Sequence, residues 1–211
     1  MGKKPFAIRV CSTCGLRYPV LEGNKVGTRC PNCLGSTKVI IKKTAEKESS
    51  NVRREAQRDQ WVVLLDNIRS AWNVGSILRS ADGFGYSHAY LCGITPTPEE
   101  DAVRKTSLNA EDFVTWSYHK DAVKLVKGLR IEGWKIVSLE NEERAFPVEE
   151  KALSLRPFPT VLVVGNELTG VDPGLLNYSD EIIYLPMRGA KQSFNVAVAF
   201  GIAAYAMSRS G

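Results

Sequence analysis

Apolar residues along this chain fall into short runs that stop at loops of small and polar residues. The clearest case is residues 161–204, VLVVGNELTGVDPGLLNYSDEIIYLPMRGAKQSFNVAVAFGIAA. Val161–Val164 and Ile182–Leu185 are runs of branched residues bounded by turn formers, the pattern of strands buried on both faces. Trp61–Leu65, Ala89–Cys92 and Lys135–Leu139 read the same way, and Trp116, Tyr118 and His119 end another short strand. Between them the period changes. Val74, Ile77, Leu78, Ala81 and Phe84 form one apolar stripe at helical spacing, with Asn73 expected as its N-cap. Gly75 and Arg79, four apart, are expected off that stripe and facing together. Asp121–Glu132 suits a helix, and Val196–Met207 is a helix of small residues able to pack against the core or against a partner. Lys105–Glu111 is expected to be a loop near the active site, and Asn141–Pro159 a loop-rich crossing. Alternation of this kind predicts an α/β domain with a mostly parallel sheet.

The two glycine-bearing loops lie at the carboxyl ends of Val161–Val164 and Ile182–Leu185, where parallel sheets bind ligands. The first is Gly165–Gly170 and the second Pro186–Asn195. Each alone is compatible with an ordinary strand-to-helix turn. Neither carries the Gly-x-Gly-x-x-Gly of a dinucleotide site or the Gly-Lys-Ser/Thr of a phosphate loop.

Charge separates the chain into two parts. The 211 residues carry a net charge of +5 and a pI of about 8.9. The first 60 hold 13 Lys and Arg against 5 Asp and Glu, and the rest hold 15 against 18. The excess positive charge is therefore N-terminal, as in a basic appendage that grips nucleic acid; a merely solvated extension is the alternative. No run approaches the ~18 apolar residues of a membrane span. MGKKPFAIRV has no long apolar segment of the signal-peptide kind, so a cytoplasmic location is expected.

Cys11-x-x-Cys14 and Cys30-x-x-Cys33 bracket fifteen residues, the spacing of a four-thiolate zinc ribbon. Two disulfides are the other arrangement, one that suits a reducing compartment poorly. Such a zinc would be structural, with no open coordination position. Gly15 and Gly35 stand where each knuckle needs a left-handed turn. Lys3, Lys4, Arg9, Arg17, Lys25, Arg29 and Lys38 would ride on this module. The expected division is a ribbon over 1–41, a charged linker over 42–60 with Arg53, Arg54 and Arg58, and the α/β domain over 61–211. Those three arginines could meet RNA phosphates or simply solvent. Cys92 ends a strand and is expected as a small buried residue; His119 is given no role.

GNELTG followed by LPMRGAKQSFNVAVA resembles the last two signature motifs of the SpoU/TrmH family of RNA ribose methyltransferases, in the SPOUT superfamily. The family's first motif is matched upstream by Asn67, Asn73-Val74-Gly75, Arg79 and Gly85. The three motifs cover most of Trp61–Ser208.

The resemblance implies a C-terminal trefoil knot that forms an S-adenosylmethionine pocket, a homodimer with active sites near its interface, and methyl transfer to a ribose 2′-hydroxyl of tRNA or rRNA. Carried over by motif, the cofactor-binding set is Gly165, Asn166, Leu185, Met187, Gly189 and Phe194. Many relatives have Leu where Phe194 stands, which alters the pocket wall but keeps a backbone contact. The catalytic set is Arg79, Asn73, Glu167, Ser193 and Asn195. Glu167 is expected to fix its loop, bind Arg79 or stabilise a helix N-terminus; Asn67 is expected to organise its loop. Using Arg79 as a base means bringing its pKa from above ~12 to near 7, roughly 7 kcal/mol, so a cationic Arg79 that holds phosphate and stabilises the developing alkoxide is favoured. A noncatalytic RNA-binding protein on the same scaffold, or a ribbon that docks protein, are the competing functions.

Overall fold

In the computed structural model, which describes residues 4–21, 23, 29–45, 61–152 and 158–208, the chain forms two units, Met1–Arg54 and Glu55–Gly211. In the first, β1 (Lys4–Cys11), β2 (Arg17–Leu21) and β3 (Thr37–Ala45) make an antiparallel sheet in the order β2-β1-β3. The two Cys-x-x-Cys knuckles are the turns at its end. Gly15 takes the left-handed conformation, as expected, with φ of 76°. In the second knuckle the left-handed residue is Leu34, at φ 59°, not Gly35. Gly35 is needed for another reason: a Cβ there would press on Thr13 and on the Cys33 sulfur. β3 also runs through Lys42–Ala45, where a linker was expected. Strand pairing with Lys4–Ala7 carries this lysine-rich stretch into the sheet. Lys3, Lys25, Arg53, Arg54 and Arg58 lie outside the described residues.

Among the described residues of the second unit every strand pair is parallel, in the order β6-β5-β4-β9-β7-β10-β8. The strands are β4 (Trp61–Asp66), β5 (His88–Cys92), β6 (Thr115–His119), β7 (Lys135–Leu139), β8 (Phe146–Pro147), β9 (Thr160–Val164) and β10 (Glu181–Tyr184). β4 and β9 are buried throughout. Their alternate residues serve two cores, because side chains point to opposite faces along a strand. Trp61, Val63, Leu65, Leu162 and Val164 pack with helices α1 (Ala71–Gly83) and α6 (Val196–Ser208). Val62, Leu64, Val161 and Val163 pack on the other face with α3 (Ala122–Ile131) and Leu175 of the one-turn α5 (Pro173–Leu176). The expected crossing over 141–159 contains β8 and the one-turn α4 (Val148–Lys151), with 153–157 outside the described residues.

Three local expectations change. The N-cap of α1 is Ser70, in extended conformation, whose hydroxyl accepts from the Asn73 amide at 3.4 Å. Asn73 therefore sits within the first turn, and its side chain is free for other work. Gly75 does not face outward with Arg79. It is buried where α1 crosses α2 (Asp101–Ser107), and a Cβ would collide with the Thr106 hydroxyl and the Val103 carbonyl. The polar stretch from Lys105, expected as a loop, is the end of α2 followed by a 3-10 turn at Ala110–Asp112. Its hydroxyls are satisfied locally: Thr106 donates to the Val103 carbonyl at 3.0 Å, and Ser107 donates to the Glu111 carboxylate of the following 3-10 turn at 2.5 Å.

Gly75→Ala should lower unfolding stability by about 1–3 kcal/mol, the usual cost of overpacking a close contact. A urea titration that leaves the midpoint unchanged would show that the two helices have room to separate.

Candidate active site

The carboxyl ends of β4, β7, β9 and β10 converge, and β9 lies between β4 and β7. The loop after β9 is built first. Gly165 has no space for a side chain, because the backbone of Gly170 and Val171 packs against it. Asn166 and Gly170 exchange backbone hydrogen bonds of 3.0 and 2.9 Å. The Asn166 Oδ1 accepts from Leu168 and Thr169 amides, and its Nδ2 donates to the Asn67 carbonyl at 2.6 Å. Two successive amides then go to carboxylates. Val171 donates to Glu140 at 2.8 Å, and Asp172 donates to Asp66 at 2.9 Å. Asp66 is buried, which pushes its carboxyl up; the Asp172 amide and the Asn67 side chain pull the other way. Asn67, left-handed at φ 55°, accepts the Ile94 amide and organises its loop, as expected.

Glu167 projects from this loop onto the start of α1. Its carboxylate accepts from the Arg69 amide at 2.9 Å, the Ser70 amide at 3.1 Å and the Asn73 Nδ2 at 2.8 Å. Burial would raise its pKa, but these donors prevail and hold it below the ordinary carboxylate range. The Asn73 Oδ1 in turn accepts from the Asn195 Nδ2 at 3.1 Å. The Asn195 Oδ1 accepts the Ala197 and Val198 amides and so caps α6. Glu167, Asn73 and Asn195, drawn from three separate stretches of sequence, form one hydrogen-bonded file. Of the three roles expected for Glu167, the helix N-terminus is the one its contacts display.

Beside this file opens a cleft of about 400 Å³. Gly165, Asn166, Glu167, Leu185, Met187, Ser193, Phe194 and Asn195 line it, while Gly189 and Arg79 do not. Gly189 has nothing within 4 Å of where a Cβ would stand; its loop carries it away from the cleft. Arg79 is exposed and makes no hydrogen bond or ion pair with the described residues. It lies six residues beyond Asn73 on α1, about 9 Å along the axis and well around the helix. Sequence reasoning missed the end of β7, where Leu139, Glu140 and Asn141 form part of the wall. The signal was present, because this too is the carboxyl end of a parallel strand.

In the N-terminal unit the sulfurs of Cys11, Cys14, Cys30 and Cys33 all lie within 4.8 Å of one another. Cys11 to Cys33 is 3.5 Å and Cys14 to Cys30 is 3.6 Å. A disulfide is about 2.05 Å, whereas the edge of a zinc tetrathiolate with bonds of about 2.3 Å is roughly 3.8 Å. The four thiols also influence one another's ionisation. The Cys14 amide, with that of Thr13, helps hold Cys11 at about 6. The Gly35 amide favours the Cys33 thiolate, but the Cys14 and Cys11 sulfurs outweigh it and push Cys33 up to about 12.

The model of the SpoU rRNA Methylase family matches residues 60–205. The chain belongs to this family. The tRNA (guanosine(18)-2′-O)-methyltransferase of Aquifex aeolicus is 29% identical over 174 residues, which span 78% of this chain and 77% of that protein. The 23S rRNA (guanosine(2553)-2′-O)-methyltransferase RlmP of Bacillus subtilis is 31% identical over 144 residues, 68% of this chain and 56% of that one. The crystal structure of the A. aeolicus TrmH/SpoU tRNA modifying enzyme superposes with a TM-score of 0.65 at 29% identity, covering 73% of this chain and 76% of that one. The cleft and its hydrogen-bonded file lie within the SpoU match; the cysteine cluster lies outside it.

The depressed pKa of Glu167 has a definite sign. Its clamp contributes fully above the unfolded value of about 4.3 and is lost as pH falls through the lower folded value. Glu167→Gln should cost about 1 kcal/mol at neutral pH, given the exposure of the site. The gap in melting temperature between the two proteins should close in acid, below about pH 4. A gap that persists unchanged there would mean the carboxylate charge plays no part.

Proposed function

We propose that this protein transfers a methyl group from S-adenosylmethionine to a ribose 2′-hydroxyl of tRNA or rRNA. The observation that carries this is the file Glu167–Asn73–Asn195 at the rim of a cleft floored by Gly165 and walled by Leu185 and Phe194. Backbone groups at Gly165, Leu185 and Phe194 would hold the adenosine part, with Asn166 and Met187 shaping the wall. The cofactor supplies an electrophilic methyl on a sulfonium. What remains for the chain is to align the hydroxyl and manage its proton. Asn73, Asn195 and Ser193 are neutral and orient groups without competing for that proton. Arg79, as a permanent cation, holds an RNA phosphate and stabilises the developing alkoxide. The proton passes to water or phosphate.

Arg79 does not line the cleft of its own chain, so we assign it to the cleft of a second subunit. A homodimer supplies it. Exposed Ile202 and Tyr205 on α6, beside Phe84 at the end of α1, offer an apolar patch for the pairing. The C-terminal knot implied by the resemblance belongs to the same proposal, as does the division into ribbon, linker and methyltransferase domain.

In the N-terminal unit we propose a structural zinc on Cys11, Cys14, Cys30 and Cys33, and an RNA-gripping role for the ribbon. Exposed Arg17, Arg29 and Lys38 would meet phosphates. Arg9 is less available, since its guanidinium donates to Thr37 at 2.8 and 3.1 Å. No helix among the described residues is long and apolar enough to cross a membrane, and we place the protein in the cytoplasm with its RNA.

Incubation with labelled S-adenosylmethionine and total RNA, followed by mapping of ribose methylation, tests the reaction and names the target. Arg79→Ala should abolish transfer while calorimetry finds cofactor affinity within about twofold of wild type, as expected for a group that acts on the transition state alone. Wild-type turnover would remove Arg79 from the mechanism. Elemental analysis should find one zinc per chain, lost in Cys30→Ser; a stoichiometry of zero in protein prepared with zinc present would dismiss the metal.

A further inference from the structure

Trp72 is the exposed member of the chain's four tryptophans. Its exposure is 64%, while Trp61 is buried and Trp116 and Trp134 are half-buried. Trp is among the most buried residues on average, so an open indole needs a reason. Packing within the chain gives none: α1 buries Val74, Gly75, Ile77, Leu78 and Ala81, and Trp72 lies off that stripe. Its indole N–H makes no hydrogen bond with the described residues.

The position is specific. Trp72 directly precedes Asn73, the middle member of the file that joins Glu167 to Asn195. Trp72, Asn73 and Asn195 line one groove of about 670 Å³, and Asn195 also lines the cofactor cleft. The indole therefore stands at the end of the groove that opens on the reaction site. The opposite end, where the Phe84 and Tyr205 rings meet at 6.2 Å, belongs to the patch assigned above to subunit pairing, so only the indole end is assigned to RNA. Charge there suits an anionic chain. The first turn of α1 carries no acidic residue, and Glu167, though ionised, does not line this groove. Arg69, three residues before Trp72, is exposed, and its guanidinium has no partner among the described residues.

We propose that Trp72 is a stacking platform for a splayed nucleobase of the RNA, next to the ribose being methylated, with Arg69 on the adjoining phosphate. This rests on the methyl-transfer function above. Proteins that recognise unpaired RNA stack bases on aromatic faces, each worth about 1–3 kcal/mol by alanine substitution. A flat ring beside Asn73 holds the nucleotide's plane while neutral side chains orient its sugar. Stacking of this kind tolerates any base, so Trp72 sets affinity and pose rather than sequence.

The test compares Trp72→Ala and Trp72→Phe with wild type, using full-length protein. With methylation of total RNA as readout, Trp72→Ala should raise the KM for RNA about tenfold, and Trp72→Phe should stay within about threefold. S-adenosylmethionine affinity and mass in solution should not change in either. Binding of a short unstructured oligoribonucleotide should quench tryptophan emission in wild type, and this quenching should vanish in Trp72→Phe. Equal RNA affinity of Trp72→Ala and wild type would overturn the platform. So would a change of mass in Trp72→Ala, which would make the indole a subunit contact. If wild type binds the oligonucleotide through Trp72 yet methylates nothing, the platform stands and the enzymatic function fails.

Discussion

A single carboxylate, that of Glu167, joins the parts of the site. Its two oxygens take the amides of Arg69 and of the N-cap Ser70, at the entry to α1, and the side chain of Asn73. Unpaired amides at a helix start need an acceptor, and a negative charge there also complements the helix dipole. Most helices meet this need locally. Here Ser70 does only part of it, and the rest comes from a residue about a hundred positions further along the chain. The start of α1 is thereby tied to the loop after β9. Asn195 extends the tie to the start of α6. Two helix ends and one ligand-facing loop are held by a few directional bonds rather than by bulk packing. Helices that pack on one face of the sheet can slide slightly at little cost; their ends at this site cannot.

The sheet explains why such bonds are reliable. β4 and β9 are covered on both faces, so their carboxyl ends are fixed points. Asp66 and Asn67 leave β4 and Gly165 leaves β9 side by side. The loop after β9 then needs only local partners, and Asp66 and Glu140 supply them from the neighbouring strand ends.

Much of this was legible in the sequence because it follows from periodicity. Val161–Val164, Ile182–Leu185 and the stripe on α1 announce strands and a helix by their spacing alone. Motif resemblance singled out residues that the fold does bring together: five of the six positions expected to bind cofactor line one cleft. What could not be read were choices between local and tertiary partners. Asn73 is as good an N-cap as Ser70 by type, and only the fold shows that its side chain is engaged by Glu167 and Asn195. Gly75 could not be told from a surface glycine without knowing that α2 crosses it. Residues 105–107 look like a loop because their hydroxyls are polar, yet Thr106 turns its hydroxyl onto its own helix and Ser107 onto Glu111 of the next turn. Arg79 was placed correctly on its helix, but no pattern along the chain says that it stands outside the lining of its own cleft.

The wall of the cleft has one further property. Glu140 and Glu167 border it, and no lysine or arginine does so among the described residues. On the proposed chemistry the ligand arrives with a positive sulfonium and leaves as a neutral thioether. An acidic lining therefore attracts the incoming molecule more strongly than the spent one. Exchange of one for the other is favoured by electrostatics before any loop has to move.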